Sequence, residues 1–403
     1  MEATPDERHD GGRGSVWLLR QLAEPLPSIA EIVQRDEHVR LLVWQGERPP
    51  EWQQTRVGRP PAGRAPGGGR RYGWEVTVAR PKDPREYPRT VTVVDPRLLW
   101  TLLRAREDVV VGFELNLATL LAVISKLRPG RRVLAMIEGD LNLLGATGSA
   151  GMKVALRRLI ARFVDVFNAN SPAAVAYLQQ VLRVPPHKIV EGWWMAGLSE
   201  GDRPTAPERR VPGPEGPLFV TAGQLIPRKG VDLLLDAVAR YRAEVGPCRL
   251  RVIGDGPQHD ALQAQAERLG IAGIVDFAGR VSREQMTKHL RDADLFVFPT
   301  LYDLIGRVVV EAITVGTPVA ASTLSGGAGV LVREGDNGVL MDPRDPDALL
   351  DALRRGSDPD VNARLREGAL RAGAGVTVEA AAANLLRAVR LTRTGVRDRA
   401  AAR

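Results

Sequence analysis

Apolar residues in the second half of the chain fall in short unbroken runs: LFVTAG at 218–223, RLRVIGDG at 249–256, IVDFAG at 274–279, DLFVFPT at 294–300 and PVAAS at 318–322. Between them apolar positions recur with helical spacing, at about 231–245, 258–269, 283–291 and 306–315. Strands that lack polar alternation, separated by helices of about ten residues, predict a parallel sheet covered on both faces. The first half repeats the signal less regularly. From Val16 to about Trp44 the apolar patterning is helix- and strand-like, including VRLLVW at 39–44. VTVVD at 91–95, DVVVGF at 108–113 and RVLAMIEGD at 132–140 read as buried strands, with a helix from Leu115 to Leu127. A helix at about 151–164 precedes the strand-like FVDVFNAN, and Ser171-Pro172 opens a further helix with a hydroxyl N-cap and proline at N1. KIVEGWWM at 188–195 closes this half.

Breaks in the pattern divide the chain. Residues 1–14 are polar and are expected to be disordered, and 46–73 form a Gly/Pro/Arg-rich insertion expected to be a mobile loop. Residues 199–217 hold five prolines and three glycines, a linker composition. The expected organisation is therefore an N-terminal domain at 15–198, a linker at 199–217, a second domain at 218–375, a helix at 376–392 and a basic tail at 393–403. TVEAAAANLLRAV, with Thr377 as N-cap and an apolar stripe of Leu385, Leu386 and Val389, is expected to pack back on the first domain.

Composition narrows the function classes. The 403 residues are 44% hydrophobic and 26% charged, enough to build two cores. A single cysteine, Cys248, excludes an internal disulfide and any cysteine-clustered metal site, and fits a reducing, cytoplasmic setting. A secretory signal is not expected from the polar, acidic first residues, and the uncharged stretch from Ala312 to Val332 is broken by five glycine and proline residues, unlike a membrane helix. The net charge of +8 comes almost wholly from arginine, 50 of 56 basic residues, spread along the chain. Aromatic residues, 5% of the total, nowhere interleave with basic clusters, so nucleic-acid binding is not expected. The five histidines show no metal-ligand spacing, and no metal or cofactor is expected. On the helix at 151–164, Leu156, Leu159, Ile160 and Phe163 form an apolar stripe beside Lys153, Arg157, Arg158 and Arg162. A core-packed helix with a solvated basic face is preferred there over a membrane-surface anchor.

Parallel sheets bind ligands at the carboxyl ends of their strands, and four such ends carry informative residues. In Gly223-Gln224-Leu225-Ile226-Pro227-Arg228-Lys229-Gly230 a glycine leaves the strand, two cations follow, and Gly230 precedes a helix. That suits an anion such as phosphate, and a solvated turn fits the segment equally well when it is taken alone. Gly254-Asp255-Gly256-Pro257 reads as a sharp turn. Gly279-Arg280-Val281-Ser282 ends in a residue with a capping box to Gln285. The fourth end, Pro299-Thr300-Leu301-Tyr302-Asp303-Leu304-Ile305-Gly306-Arg307-Val308-Val309-Val310-Glu311, places a carboxylate before a helix and another within it. Glu311 stands in the apolar run VVVEAITV, where an ionised group needs hydrogen bonds. In the first half, Glu138-Gly139-Asp140 ends a strand and offers carboxylates that could act as base or orienter, or make a plain polar turn.

Together these segments resemble the retaining glycosyltransferases of family 4, over about residues 218–355. Gly223 to Gly230 is similar to that family's G-R-L-x-x-x-K-G loop, Asp303 and Glu311 occupy the ends of its E-x7-E motif, and EAITVGTPVAAS resembles its EAMACGTPVVAS segment. Gly326-Gly327 and Gly335-Asp336-Asn337-Gly338-Val339-Leu340 resemble the segments that follow. The resemblance implies a GT-B fold, α/β, with two Rossmann-like domains whose parallel sheets face across a cleft. It implies transfer of a sugar from a nucleotide-sugar donor to an acceptor hydroxyl, on a glycan, a lipid-linked or a small-molecule acceptor, with retention of configuration. On this resemblance Gly223, Gln224, Arg228 and Lys229 would meet the diphosphate, and Lys229 would grip it. The amides of Gly306, Arg307 and Val308 would hold phosphate oxygens, Glu311 the ribose hydroxyls, and Arg280 and Val281 would lie by the base. Asp303 would reach the transferred sugar, with Glu138 facing the acceptor.

Three departures bear on that reading. Gln224 stands where the family usually has arginine, Asp303 is one carbon shorter than the usual glutamate, and no Gly-rich loop follows the first strand region near 16–25. The first two leave open a member that binds a nucleotide sugar or sugar phosphate without transferring it.

Overall fold

The structure is a computed structural model that describes residues 89–138, 150–195, 197–206, 213–303 and 306–395, with backbone only at 15–19, 39–43, 73–79, 89–93 and 152–153. The expected disordered start, residues 46–72 of the insertion expected at 46–73, Gly139-Asp140 and the tail beyond Gly395 lie outside the described residues, while Gly73 opens a strand.

The chain forms two compact units. The first comprises Met1–Val76, Thr90–Gly192 and Ala382–Arg403, the second Thr77–Arg89 and Trp193–Ala381. The first unit holds a six-stranded sheet of β1 (Ser15–Leu19), β2 (Val39–Val43), β5 (Val109–Phe113), β6 (Arg132–Ile137), β7 (Val166–Ala169) and β8 (Ile189–Glu191), in the order β2-β1-β5-β6-β7-β8. Every neighbouring pair in it is parallel. β3 (Gly73–Ala79) and β4 (Arg89–Val94) pair only with each other. VTVVD was expected as a buried strand of the main sheet. It sits instead in this two-stranded ribbon.

The second unit has β9 (Leu218–Ala222), β10 (Arg249–Ile253), β11 (Val275–Gly279), β12 (Leu295–Phe298), β13 (Val319–Ser322) and β14 (Gly338–Met341), again all parallel. Every residue of β9, β12 and β13 is buried, which is why these strands read as unbroken apolar runs. The order β11-β10-β9-β12-β13-β14 is 3-2-1-4-5-6 counted within the unit. This is the arrangement of dinucleotide-binding Rossmann sheets, in which ligands meet the carboxyl edge where the order reverses, here between β9 and β12.

The Pro-rich stretch is fastened to the second unit. Arg203 donates to the Leu370 carbonyl at 2.6 Å, Arg291 to the Asp202 carbonyl at 2.6 Å, and the Glu379 carboxylate accepts from the Glu200 amide at 2.8 Å. The division between units falls earlier, after Gly192. The helix Val378–Thr394 begins in the second unit, where the Val378 amide donates to the Leu198 carbonyl at 3.2 Å. From Ala382 it counts with the first, where Arg393 pairs with Asp108 at 3.1 Å and Leu385 is fully buried.

The helix Ala150–Phe163 departs from expectation. Of its four stripe residues only Ile160 is buried, while Leu156, Leu159 and Phe163 are more than half exposed. The face that meets the core runs through Ile160, Ala161 and Val164, next to the apolar row rather than along it.

Candidate active site

Two loops meet at the reversal point of the second sheet. The first leaves β9 at Gly223 and makes a short 3-10 turn at Pro227–Lys229 before the helix Val231–Glu244. The second leaves β12 at Pro299 and leads to the helix Arg307–Thr314. One carbonyl ties them together. Arg228 O accepts from the Leu301 amide at 2.7 Å and from the Thr300 hydroxyl at 3.0 Å, and that hydroxyl also lies 2.9 Å from Tyr302 O. Thr300 is fully buried, so its hydroxyl serves the loop contact and not solvent.

Both helices start at glycines that no other residue could replace without movement. Gly230 has φ +65°, and a Cβ there would lie 2.2 Å from the Pro299 carbonyl oxygen. Gly306 has φ +69°, and a Cβ would lie 2.7 Å from the Phe298 ring.

This framework brings Lys229, Arg228 and Asp303 together. Lys229 Nζ contacts the Asp303 carboxylate and stands 5.4 Å over the Phe298 ring centroid. Arg228 Nη1 lies 3.5 Å from the same carboxylate oxygen and donates to Tyr302 O at 3.0 Å. One carboxylate between two cations leaves a net positive charge, and the three side chains are 8–16% exposed, so solvent screens it weakly. The backbone of Asp303 is held in turn by the Gly326 amide, 2.9 Å from its carbonyl. Beside this cluster a recess of about 250 Å³, open solvent included, is lined by Thr221, Gly223, Gln224, Lys229, Phe298 and Pro299.

The other expected site residues lie around this centre. Glu311, one turn into the helix Arg307–Thr314, pairs with Arg307 at 3.2 Å and its side chain is 18% exposed. Gly306 is the N-cap of that helix, followed by Arg307 and Val308. Arg280, past the end of β11, is mostly exposed and 3.5 Å from Asp255, and Val281 follows it. The capping box of Ser282 and Gln285 forms, at 2.8 and 3.2 Å. Asn337 is a buried turn staple, accepting from the Arg333 amide at 2.6 Å and donating to the Leu331 carbonyl at 2.8 Å.

Glu138 belongs to the first unit, one residue past β6. Its amide donates to the Glu114 carboxylate at 2.7 Å. Sequence reasoning missed Glu114, which follows β5 with φ +56°, a conformation that costs a non-glycine residue energy. In the order β2-β1-β5-β6-β7-β8 the direction reverses between β1 and β5, so Glu114 occupies this sheet's own reversal point. Asn170, just past β7, was missed as well. It is 1% exposed and neither side-chain amide atom has a hydrogen-bond partner among the described residues. The strand-end rule that singled out Glu138 would have found both. Nearby, burial holds the Tyr177 phenol above its usual pKa range, partly offset by Arg157, which donates to its hydroxyl at 3.0 Å.

Among the described residues no group of three or more His, Cys, Asp or Glu is placed to hold a metal, and no helix is long and apolar enough to cross a membrane.

Comparison with known proteins places these features. Residues 202–369 match the family described as Glycosyl transferases group 1. A D-inositol 3-phosphate glycosyltransferase of Nocardioides sp. is 28% identical over 284 residues, covering 66% of this chain and 62% of that protein. A GDP-mannose-dependent alpha-(1-6)-phosphatidylinositol monomannoside mannosyltransferase of Mycolicibacterium smegmatis is 35% identical over 144 residues, 34% of this chain and 37% of that one. The chain thus spans less than two thirds of the length of these curated relatives. Among solved structures, Anabaena Alr3699/HepE in complex with UDP and glucose matches with a TM-score of 0.65 at 17% identity, over 94% of this chain and all of that one. Sucrose-phosphate synthase from Thermosynechococcus elongatus matches with a TM-score of 0.64 at 17% identity, over 94% and 98%. The fold is that of the GT-B glycosyltransferases.

Proposed function

We propose, from the match of residues 202–369 to the glycosyl transferases group 1 family, that the protein transfers a sugar from a nucleoside diphosphate sugar to an acceptor hydroxyl with retention of configuration. The observation that carries this reading is the cationic cluster of Lys229, Arg228 and Asp303 at the reversal point of the second sheet. A diphosphate entering there competes with Asp303 for Lys229. Lys229 then neutralises the leaving group as the bond from the anomeric carbon to the diphosphate breaks, and Asp303 is released toward the sugar. Arg228, buried against Tyr302 O, keeps Asp303 in position and adds its field from behind. The amides that open the helix Arg307–Thr314 face developing negative charge with the positive end of the dipole. Glu311 accepts from ribose hydroxyls, and Arg280 and Val281 border the base. The incoming hydroxyl binds in the first unit, where Glu138, held by Glu114, orients it.

A member that binds donor without turning it over is the second reading, favoured by the neutral Gln224 and by the engagement of Asp303 with both cations. Thermal unfolding of the whole chain with a panel of UDP- and GDP-sugars tests the first step. A matching donor at a hundred times its Kd should stabilise by ~2.7 kcal/mol, a shift of roughly 5–10 °C. Release of nucleoside diphosphate from that donor, with and without candidate acceptors, then distinguishes an enzyme from a binding module. No stabilisation by any nucleotide sugar would reject both readings.

A further inference from the structure

A third loop reaches the candidate site beside Asp303. Asp303 follows β12, and Ser325 follows β13, the neighbouring strand in the sheet. The two residues form a parallel bridge, with the Gly326 amide donating to the Asp303 carbonyl at 2.9 Å. Paired residues of adjacent extended segments project their side chains to the same face, about 5 Å apart. The Ser325 hydroxyl therefore lies on the face that carries the Asp303 carboxylate, whose Oδ2 meets Lys229 and Arg228.

That hydroxyl serves no contact in the fold. Ser325 is 4% exposed, and its Oγ has no hydrogen-bond partner among the described residues. Other groups close the turn that carries it. The Ser322 carbonyl accepts from the Ser325 amide at 3.2 Å, and the Ser322 hydroxyl accepts from the Leu324 amide at 3.1 Å. Other buried hydroxyls nearby in the unit are engaged: Thr300 donates to Arg228 O, Thr314 to Val310 O at 2.6 Å and Thr317 to Leu290 O at 2.7 Å. Burying a hydroxyl without a partner lowers stability. Its position next to Asp303 indicates a partner that arrives with a ligand.

We propose that Ser325 and Asp303 together read one hydroxyl of the transferred sugar. An ionised carboxylate only accepts hydrogen bonds, whereas a serine hydroxyl can donate one. A single sugar hydroxyl between them donates its proton to Asp303 and accepts from Ser325 Oγ. Two such bonds, each roughly 2.7–2.8 Å between oxygens, span a gap of the same order as the ~5 Å between paired residues. The pair selects a donor whose sugar has a free hydroxyl at that ring position, and it rejects a sugar that is deoxy or acylated there. The inference rests on the sugar-transfer reading and adds to it the group that recognises the sugar, as distinct from the diphosphate.

Calorimetric titration of the full chain tests it. UDP-glucose, UDP-galactose, UDP-N-acetylglucosamine and GDP-mannose are tried first, and deoxy forms of the one that binds follow, each lacking a different ring hydroxyl. Wild type should bind one of these analogues at least ~5-fold more weakly than the parent donor. Ser325→Ala should bind the parent at least ~5-fold more weakly than wild type does, yet bind that one analogue as well as wild type does. It should bind UDP or GDP alone within two-fold of wild type, and its melting temperature without ligand should hold or rise. Parent donor bound within two-fold by Ser325→Ala would overturn the proposal and leave sugar transfer standing. So would equal losses for every analogue and for the diphosphate alone, or a fall of several degrees in the melting temperature, which would make the hydroxyl part of the fold. Equal binding of all the deoxy donors and the parent by wild type would overturn it without any variant. Binding of no nucleotide sugar by wild type would reject the sugar-transfer reading, and this proposal with it.

Discussion

Substituting Glu311 with glutamine separates a binding role from a structural one, because the two act on different measurements. Glu311 pairs with Arg307, one turn earlier on the same helix, at 3.2 Å with side-chain exposures of 18% and 36%. A pair of this kind, at i,i+4 and reaching solvent, contributes about 0.3–0.5 kcal/mol. Glutamine keeps the shape and an acceptor oxygen, so loss of this pair should stay within that range. For a chain of this size the melting temperature should fall by only about 1–2 °C. A carboxylate that accepts from ribose hydroxyls contributes much more, ~1.5–3 kcal/mol for a charged hydrogen bond, so donor affinity should fall roughly 10- to 150-fold. The two ranges do not overlap. Calorimetric titration with the donor that stabilises the wild-type chain, beside thermal unfolding of the same preparation, measures both. A Glu311→Gln protein that binds donor within two-fold of wild type would refute the placement of the ribose at this helix. One that loses several degrees of stability would instead make Glu311 a structural group.

Asp303→Asn removes the anion that competes with a diphosphate for Lys229. Nucleoside diphosphate should therefore bind tighter by ~1 kcal/mol, about five-fold by calorimetry, while sugar transfer slows. Unchanged or weaker diphosphate binding would mean that Lys229 does not face the ligand. Cys248 is 1% exposed, and burial pushes its thiol up to about 11. At pH 8 the native chain should resist iodoacetamide and react only on unfolding. The unfolded thiol ionises near ~8.5 while the native one stays protonated, so this group's contribution to stability should decline as pH rises from about 8.5 toward 11. Cys248→Ala should flatten that alkaline slope, as urea titrations across the range would show.

Much of the second sheet was legible because strands buried on both faces write themselves as unbroken apolar runs. LFVTAG, DLFVFPT and PVAAS coincide with β9, β12 and β13 to within a residue or two. β14 did not stand out, since its four residues follow the Gly-Asp-Asn turn at 335–337 and read as the end of a loop. Periodicity misled at Leu156, Leu159 and Phe163 for a definite reason. Spacing reveals which positions share a helix face, and only packing decides whether that face meets the core. In the site, Gly223, Lys229 and Asp303 could be found from strand ends and charge. Glu114 also ends a strand and was within reach of the same rule, whereas the role of Thr300 was not, because it lies in a contact to a carbonyl 72 residues away along the chain.

That carbonyl, Arg228 O, also constrains how such a domain can change. Leu301 and Thr300 both hang from it, and only glycine fits at position 230, because Pro299 O lies where a side chain would start. The segments around 223–230 and 299–303 are therefore a single heritable block, although three helices alternating with three strands separate them. A chimera with a crossover between them would join two loops selected for different partners. It would lose the pairing of Lys229 with Asp303 even if every strand still aligned. Crossovers before Leu218 or after Ser325 would carry the block whole, so exchange of complete second units is the route by which relatives can diversify around this chemistry.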